Sequence, residues 1–416
     1  MRLNIGKTLV IGLAFFTISL AWTIYNNYVP VFLSELISSS ALVGAIMTVD
    51  NLFGILLQPY FGRLSDNTKT KFGRRMPFII FGVPAAALFF MLIPTYSAIG
   101  GILPGGKLLL PVLMIFVIGM NLAMSVYRAP AVAMMPDATP PALRSRANGI
   151  INAMGGLGSI IAFLVGGMLF KESPYFPFIM GGMVMLLALG VLLFFHKEPE
   201  EPYSAADDEG GTGVDTGLFI GKKGAKPLFV TNKSLIFLLI TVFFWFCGFE
   251  CINSFFTLFC QERFGTHPGD STKLLAPMAL SFMASAYPGG LLGAKIGRRR
   301  AMLLGNGIIV LAFICVFFIN SPELLGVILA VSGIGWAFIN ANAYPTITQM
   351  APQGQTGRYT GYYYAFTFAA SIISPIAYGL VSDLAGTRSL LFVFGGVMFV
   401  LGLIFLMLTR QSKKMA

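Results

Sequence analysis

Residues 40–96 read SALVGAIMTVDNLFGILLQPYFGRLSDNTKTKFGRRMPFIIFGVPAAALFFMLIPTY. Two apolar runs, 40–61 and 77–96, flank a short polar loop. Each run is about the ~20 residues a helix needs to cross a ~30 Å hydrocarbon core. Lipid offers no partner for backbone N–H and C=O groups, so a spanning run must pair them within itself as a helix. The loop between the runs carries Arg63, Lys69, Lys71, Arg74 and Arg75. Such a basic loop stays on the cytoplasmic side. This hairpin sets the fold class: an all-α membrane protein.

The rest of the chain repeats the pattern. Apolar runs predict helices at 8–34, 40–61, 77–96, 108–135, 147–170 and 175–195, then at 234–260, 274–296, 301–319, 324–349, 359–382 and 389–409. A polar segment divides the sets. It contains Glu198-Pro199-Glu200-Glu201-Pro202 and Asp207-Asp208-Glu209, which is linker chemistry. The expected organisation is twelve transmembrane helices: a six-helix bundle over 1–195, a cytoplasmic linker over 196–233 and a second bundle over 234–416. Composition agrees. The chain of 416 residues is 56% hydrophobic and 11% charged, where a soluble domain carries roughly 25% charge. The first run is too long for a signal peptide and lacks a clear cleavage site, so it reads as a membrane helix.

The net charge of +11 does not form the basic stripe with interleaved aromatics that nucleic-acid binding needs. It sets orientation instead. The termini, the linker and the loops on their side hold 22 of the 28 Lys and Arg residues, which places both termini in the cytoplasm. Cys247, Cys251, Cys260 and Cys315 lie in or beside apolar runs without disulfide or zinc spacing. No nucleophile motif, metal cluster or phosphate loop appears, so no enzyme activity, cofactor or metal is expected.

The halves echo each other. Gly73-Arg74-Arg75 in the loop between helices 2 and 3 matches Gly297-Arg298-Arg299-Arg300 between helices 8 and 9. Arg146-Ala147-Asn148-Gly149 opens helix 5, and Arg358-Tyr359-Thr360-Gly361 opens helix 11. Tyr127-Arg128-Ala129-Pro130 in helix 4 corresponds to Ala343-Tyr344-Pro345 in helix 10. A duplicated six-helix unit is a common transporter plan.

Ionisable groups at membrane depth are costly and are functional candidates by default. Asp50, Arg128 and Glu250 are the three placed within helices. A carboxylate shielded from water can load and release a proton, so Asp50 first and Glu250 second are the expected coupling acids, with Arg128 their partner. The alternative is a static ion pair that holds helices together.

With these residues in place, the chain resembles the major facilitator superfamily. Gly62-Arg63-Leu64-Ser65-Asp66, closing on Gly73-Arg74-Arg75, is similar to that superfamily's signature between helices 2 and 3. The longer form, with Thr68, Thr70, Phe72 and Pro77-Phe78, resembles the glycoside–pentoside–hexuronide cation symporters and their sucrose-transporter-like branch. Melibiose-type members carry paired cation-binding acids late in helix 2; those positions hold Gly54 and Gln58 here. The resemblance therefore points to a proton, which one carboxylate can carry, as the coupling cation. Gly62, Arg63, Asp66, Gly73, Arg74 and Arg75 are the expected cytoplasmic gate. Asp66 would pair with an arginine or face a helix N-terminus and hold that side shut.

In the superfamily, helices 1, 4, 7 and 10 line the substrate cavity at the midplane. Polar residues share faces there: Trp22, Tyr25 and Asn26; Asn121, Ser125, Tyr127 and Arg128; Glu250 and Asn253; Trp336, Asn340, Asn342 and Tyr344. Amides and a guanidinium suit hydroxyls, and an indole offers a stacking face for a sugar. The implied protein is a proton-coupled symporter of a glycoside or disaccharide, sucrose- or maltose-like, in the cell membrane, a bacterial inner membrane by its short loops. The bland alternative for each amide is interhelical hydrogen bonding. An exporter of amphipathic compounds on the same fold would have a more aromatic, less amide-rich cavity. A sensor would carry an appended soluble domain.

Overall fold

A computed structural model describes residues 3–100, 107–140, 143–196, 198, 233–351 and 355–409. Among them, twelve helices are long and apolar enough to cross a membrane. They are α1 (Ile5–Leu36), α2 (Ser40–Asn67), α3 (Met76–Ile99), α4 (Leu109–Ala138), α5 (Arg146–Glu172) and α6 (Tyr175–Phe195), then α7 (Lys233–Phe264), α8 (Pro268–Ile296), α9 (Arg298–Val316), α10 (Pro322–Gln349), α11 (Gly357–Ala385) and α12 (Leu391–Leu408). The all-helical expectation holds. The ends differ in a consistent way: most helices continue past the apolar run, because polar residues such as Gln261 and Glu262 carry on the hydrogen-bond ladder where the headgroups begin. The largest differences are the end of α2, at Asn67 instead of 61, and the start of α8, at Pro268 instead of 274, where Pro serves well in a first helical turn. The linker expected over 196–233 lies outside the described residues except at His196, Glu198 and Lys233.

The chain groups into two compact units. Unit 1 comprises Met1–Ser38, Ile46–Asp208 and His267–Lys273; unit 2 comprises Ser39–Ala45, Glu209–Thr266 and Leu274–Ala416. In unit 1, α1 packs on α5 and α6, α3 packs on α4 and α6, and α2 packs on α4. In unit 2, α7 packs on α11 and α12, α9 on α10 and α12, and α8 on α10. The second pattern is the first with every number raised by six, so the internal repeat extends to packing.

Small residues set the close contacts. A Cβ at Gly158 of α5 would strike the Phe16 carbonyl of α1, and one at Gly305 of α9 would strike the Gly335 carbonyl of α10. In a membrane, such approaches gain dispersion that lipid cannot match. Aromatic rings fill the spaces between. Tyr28 stacks on Phe170 at 4.0 Å in unit 1, and in unit 2 Phe259 and Phe313 pack on Phe392 while Phe399 packs on Phe313. Trp245 Nε1 donates to Asn306 Oδ1 at 3.0 Å, and Asn306 Nδ2 donates to the Phe399 carbonyl at 3.1 Å. Large apolar side chains on the outside, such as Phe81, Phe194 and Leu384, are what a lipid-facing surface requires.

Some spans are interrupted, among them α8, which breaks between Pro268–Lys273 and Ala276–Ile296, and α2. The helical ladder of α2 breaks at Thr48, between Ser40–Met47 and Val49–Asn67. The first turn belongs to unit 2, where Asp383 of α11 accepts from Ser39 Oγ at 2.7 Å, Ser40 N at 2.6 Å and Ala41 N at 3.0 Å. A carboxylate over first-turn amides satisfies groups that no helix can pair internally.

Candidate functional site

Unit 1 brings together six of the expected residues. Trp22, Tyr25 and Asn26 lie on α1, Asp50 on α2, and Asn121 and Arg128 on α4. Asn121 Nδ2 donates to Tyr25 Oη at 3.2 Å and to the Val117 carbonyl at 2.9 Å. Trp22 meets Tyr25 edge-on, with ring centroids 5.4 Å apart. The Arg128 guanidinium sits over the Trp22 ring, 5.8 Å from its centroid, a cation–π distance. Asp50 acts electrostatically on both Arg128 and Tyr25, and its Oδ1 accepts from Asn51 Nδ2 at 3.0 Å. Two buried polar atoms here have no protein partner: Trp22 Nε1, a donor, and Asn121 Oδ1, an acceptor. Buried polar atoms without partners are rare and mark places where another group binds. Arg128 covers a face of Trp22, so the indole's free N–H is a better handle for a hydroxyl than that face is for stacking.

Tyr127 points elsewhere. It is buried, and its Cβ lies against Gly82 of α3. Ser125 turns its hydroxyl back to the Asn121 carbonyl at 2.9 Å.

Unit 2 contributes a different surface. On α7, Asn253 Nδ2 lies 3.5 Å from Glu250 Oε2, with Ser371 of α11 also in reach of that carboxyl. Trp336 is stacked on Phe249 at 4.6 Å and 7° and edge-on to Phe246 at 5.5 Å. Tyr344 bonds Thr360 at 3.1 Å and packs on Tyr363 at 5.3 Å. The stacking face that sequence assigned to Trp336 is thus shared with a phenyl ring. Asn340 donates to the Trp336 carbonyl in its own helix at 3.0 Å. Asn342 is buried and donates to the Gly289 carbonyl of α8 at 3.0 Å, its amide filling the notch at Gly293. This is the interhelical bond that membrane amides commonly make.

The loop between α2 and α3 is an ion-pair node. Arg75 is buried and reaches Asp66 Oδ1 at 2.5 Å, Asp137 Oδ2 at 2.9 Å, Ser65 Oγ at 2.5 Å and the Gly62 carbonyl at 3.4 Å. Arg74 lies 3.5 Å from the same Asp137 oxygen. Burial works against the charge on Arg75, but the Asp137 and Asp66 carboxylates outweigh it and hold its pKa above the usual guanidinium value. The expected pairing of Asp66 with an arginine is therefore with Arg75, while Arg63 is exposed. Sequence reasoning missed Asp137 and Glu198. Glu198 accepts from Arg74 N at 2.6 Å, Arg75 N at 2.8 Å and Met76 N at 2.7 Å. Gly73 takes φ +103°, and a Cβ there would run into this carboxylate. Glycine thus serves twice, for the turn and for the approach.

His196, beside Glu198, is buried at the end of α6 with its Nδ1 unpartnered. Burial, then the charge of Lys7, pushes its pKa from 6.5 down to about 4. A histidine depressed on folding contributes stability that is intact above pH 6.5 and lost as pH falls toward 4. The expected slope over that window is up to ~1.4 kcal/mol per pH unit. Thermal unfolding scanned across it should show less acid sensitivity in His196→Gln; equal sensitivity would place the titration elsewhere.

A family model described as Major Facilitator Superfamily matches residues 11–287 and 269–415. The tetracycline resistance protein, class B, of Escherichia coli is 25% identical over 386 residues, covering 90% of this chain and 87% of that protein. The sucrose transport protein SUC3 of Arabidopsis thaliana is 26% identical over 173 residues, 39% of this chain and 29% of that one. The crystal structure of a bacterial homolog of the human lysosomal transporter Spinster superposes with a TM-score of 0.73 at 16% identity, covering 98% of each chain. Twelve spans, a repeated packing pattern and a family match along nearly the whole length place this chain in the Major Facilitator Superfamily, as a multi-pass membrane transporter.

Proposed function

We propose that the protein is a proton-coupled symporter of a glycoside, a disaccharide of the sucrose or maltose kind, working by alternating access in the cell membrane with both termini cytoplasmic. The observation that carries this reading is the unit 1 cluster. Arg128 over Trp22, the Tyr25–Asn121 bond and the unpartnered Trp22 N–H and Asn121 carbonyl oxygen offer a hydroxylated ligand both donors and acceptors. Asp50, acting on Arg128 and Tyr25, is the coupling acid, and Glu250 is the second. The node around Arg75 is the cytoplasmic gate. The sucrose transport protein among the relatives supports the substrate class.

A second reading is export of amphipathic compounds. It is favoured by the ring cluster of Phe246, Phe249, Trp336, Tyr344 and Tyr363 in unit 2 and by the tetracycline resistance protein that aligns along most of the chain. Proteoliposomes separate the two. Under an imposed proton gradient, labelled sucrose or maltose should accumulate and tetracycline should not. Tetracycline movement with no response to either sugar would reverse the assignment.

A further inference from the structure

Two side chains that touch Tyr25 carry orphaned atoms of opposite polarity. Trp22 Nε1 can only donate and Asn121 Oδ1 can only accept, and both are buried without a protein partner. Asn121 is 1% exposed. Its amide cannot turn over to exchange the two roles. The Val117 carbonyl only accepts, and Nδ2 reaches it at 2.9 Å, so the nitrogen must lie on that side. Tyr25 Oη, at 3.2 Å, takes the other Nδ2 hydrogen and fixes the amide plane. Tyr25 is itself fully buried and held edge-on against Trp22. The indole is fixed as well: the Arg128 guanidinium covers one ring face at 5.8 Å. Its charge draws electron density from the ring and sharpens the N–H as a donor.

A hydroxyl can meet either atom, but in opposite senses. We infer that this pair sets ligand specificity by hydrogen-bond polarity: Trp22 N–H donates to one ligand oxygen, a second ligand hydroxyl donates to Asn121 Oδ1, and Tyr25 is the positioning residue that holds that acceptor in place. The inference rests on the reading of the unit 1 cluster as the sugar site, and adds which property of a hydroxyl each residue reads. An ether oxygen, a glycosidic oxygen or a fluorine satisfies Trp22 but leaves Asn121 Oδ1 bare. A buried acceptor left bare is costly, so the site rejects ligands that cannot donate there.

A deoxy and fluorodeoxy scan of sucrose and maltose tests this, with affinity measured by calorimetry on the full chain in lipid nanodiscs. In the native protein, one position should lose roughly tenfold on both deoxy and fluoro replacement, the mark of a hydroxyl that must donate. A second position should lose roughly tenfold on deoxy replacement and less on fluoro replacement, because carbon-bound fluorine still accepts weakly. Trp22→Phe, which keeps a ring under Arg128, should erase the penalty at the second position only. Tyr25→Phe should shrink the penalty at the first position only. A purely structural lesion would instead lower all affinities together and leave their ratios unchanged. Ratios unchanged in both variants, or a native scan with no position that must donate, would overturn the inference. The native scan decides it even where a variant fails to fold. Sugar accumulation under a proton gradient with a flat scan would overturn the polarity rule and keep the symport reading. The expected scan without accumulation would do the reverse, and binding of neither sugar would overturn both.

Discussion

Asp50→Asn should abolish gradient-driven sugar accumulation in proteoliposomes while exchange of labelled for unlabelled sugar continues. The carboxamide has the shape of a protonated carboxyl but cannot release the proton, so it fixes one state of the cycle. Exchange needs only the loaded carrier to reorient; net uptake needs the proton to leave. One pH unit of gradient is worth ~1.4 kcal/mol, about tenfold accumulation for a one-to-one symporter. The variant should therefore fall from about tenfold to equilibration. The reason to choose Asp50 is its reach: its charge acts on Arg128 and on Tyr25, which bonds Asn121. Accumulation at the native level in Asp50→Asn would remove it from coupling and make Glu250→Gln the next variant.

Arg75→Ala should produce the largest loss of stability of any single change at the loop between α2 and α3. The side chain is buried and joins two carboxylates, a hydroxyl and a carbonyl. Removing one partner of such a buried set leaves the rest uncompensated, at a cost of about 3 kcal/mol. That figure is at the lower end for buried pairs because the Asp66 side chain is 54% exposed and water screens its share. Arg75→Lys should recover little, since one ammonium cannot span the positions a guanidinium fork reaches. Asp66→Asn should cost less than Arg75→Ala. Thermal unfolding in detergent gives the order; an Arg75→Ala protein as stable as the native one would show the node to be ornamental to folding.

Much of this was legible in the sequence, and the reasons are specific. The spans follow from apolar run length, and the loop glycines follow from the repeat, which Gly73 and Gly297 honour with the same positive φ. The Asp66–Arg75 pair is local enough to anticipate. Asp137 and Glu198 are not: they meet Arg75 across 62 and 123 residues, and nothing near them announces the partner. The amides show a second limit. Helical spacing puts Asn340 and Asn342 near one another, but a helix inside a bundle has neighbours on several sides. Asn342 faces α8, and Tyr127, beside Arg128, faces α3. The break in α2 at Thr48 has no glycine or proline to mark it; it arises where Asp383 holds one part of the span and α4 packs on the other.

The placement of Arg128 over Trp22 has an optical consequence. The chain has three tryptophans. Trp245 donates to Asn306 and Trp336 is stacked on Phe249, an uncharged partner in each case. Trp22 alone has a formal charge over its ring. Its excited-state dipole therefore senses the field of the Arg128–Asp50 pair, and its emission colour will move when a proton or a ligand redistributes that field. With Trp245 and Trp336 replaced by phenylalanine, the remaining indole becomes an intrinsic voltmeter at the centre of unit 1, readable without any label.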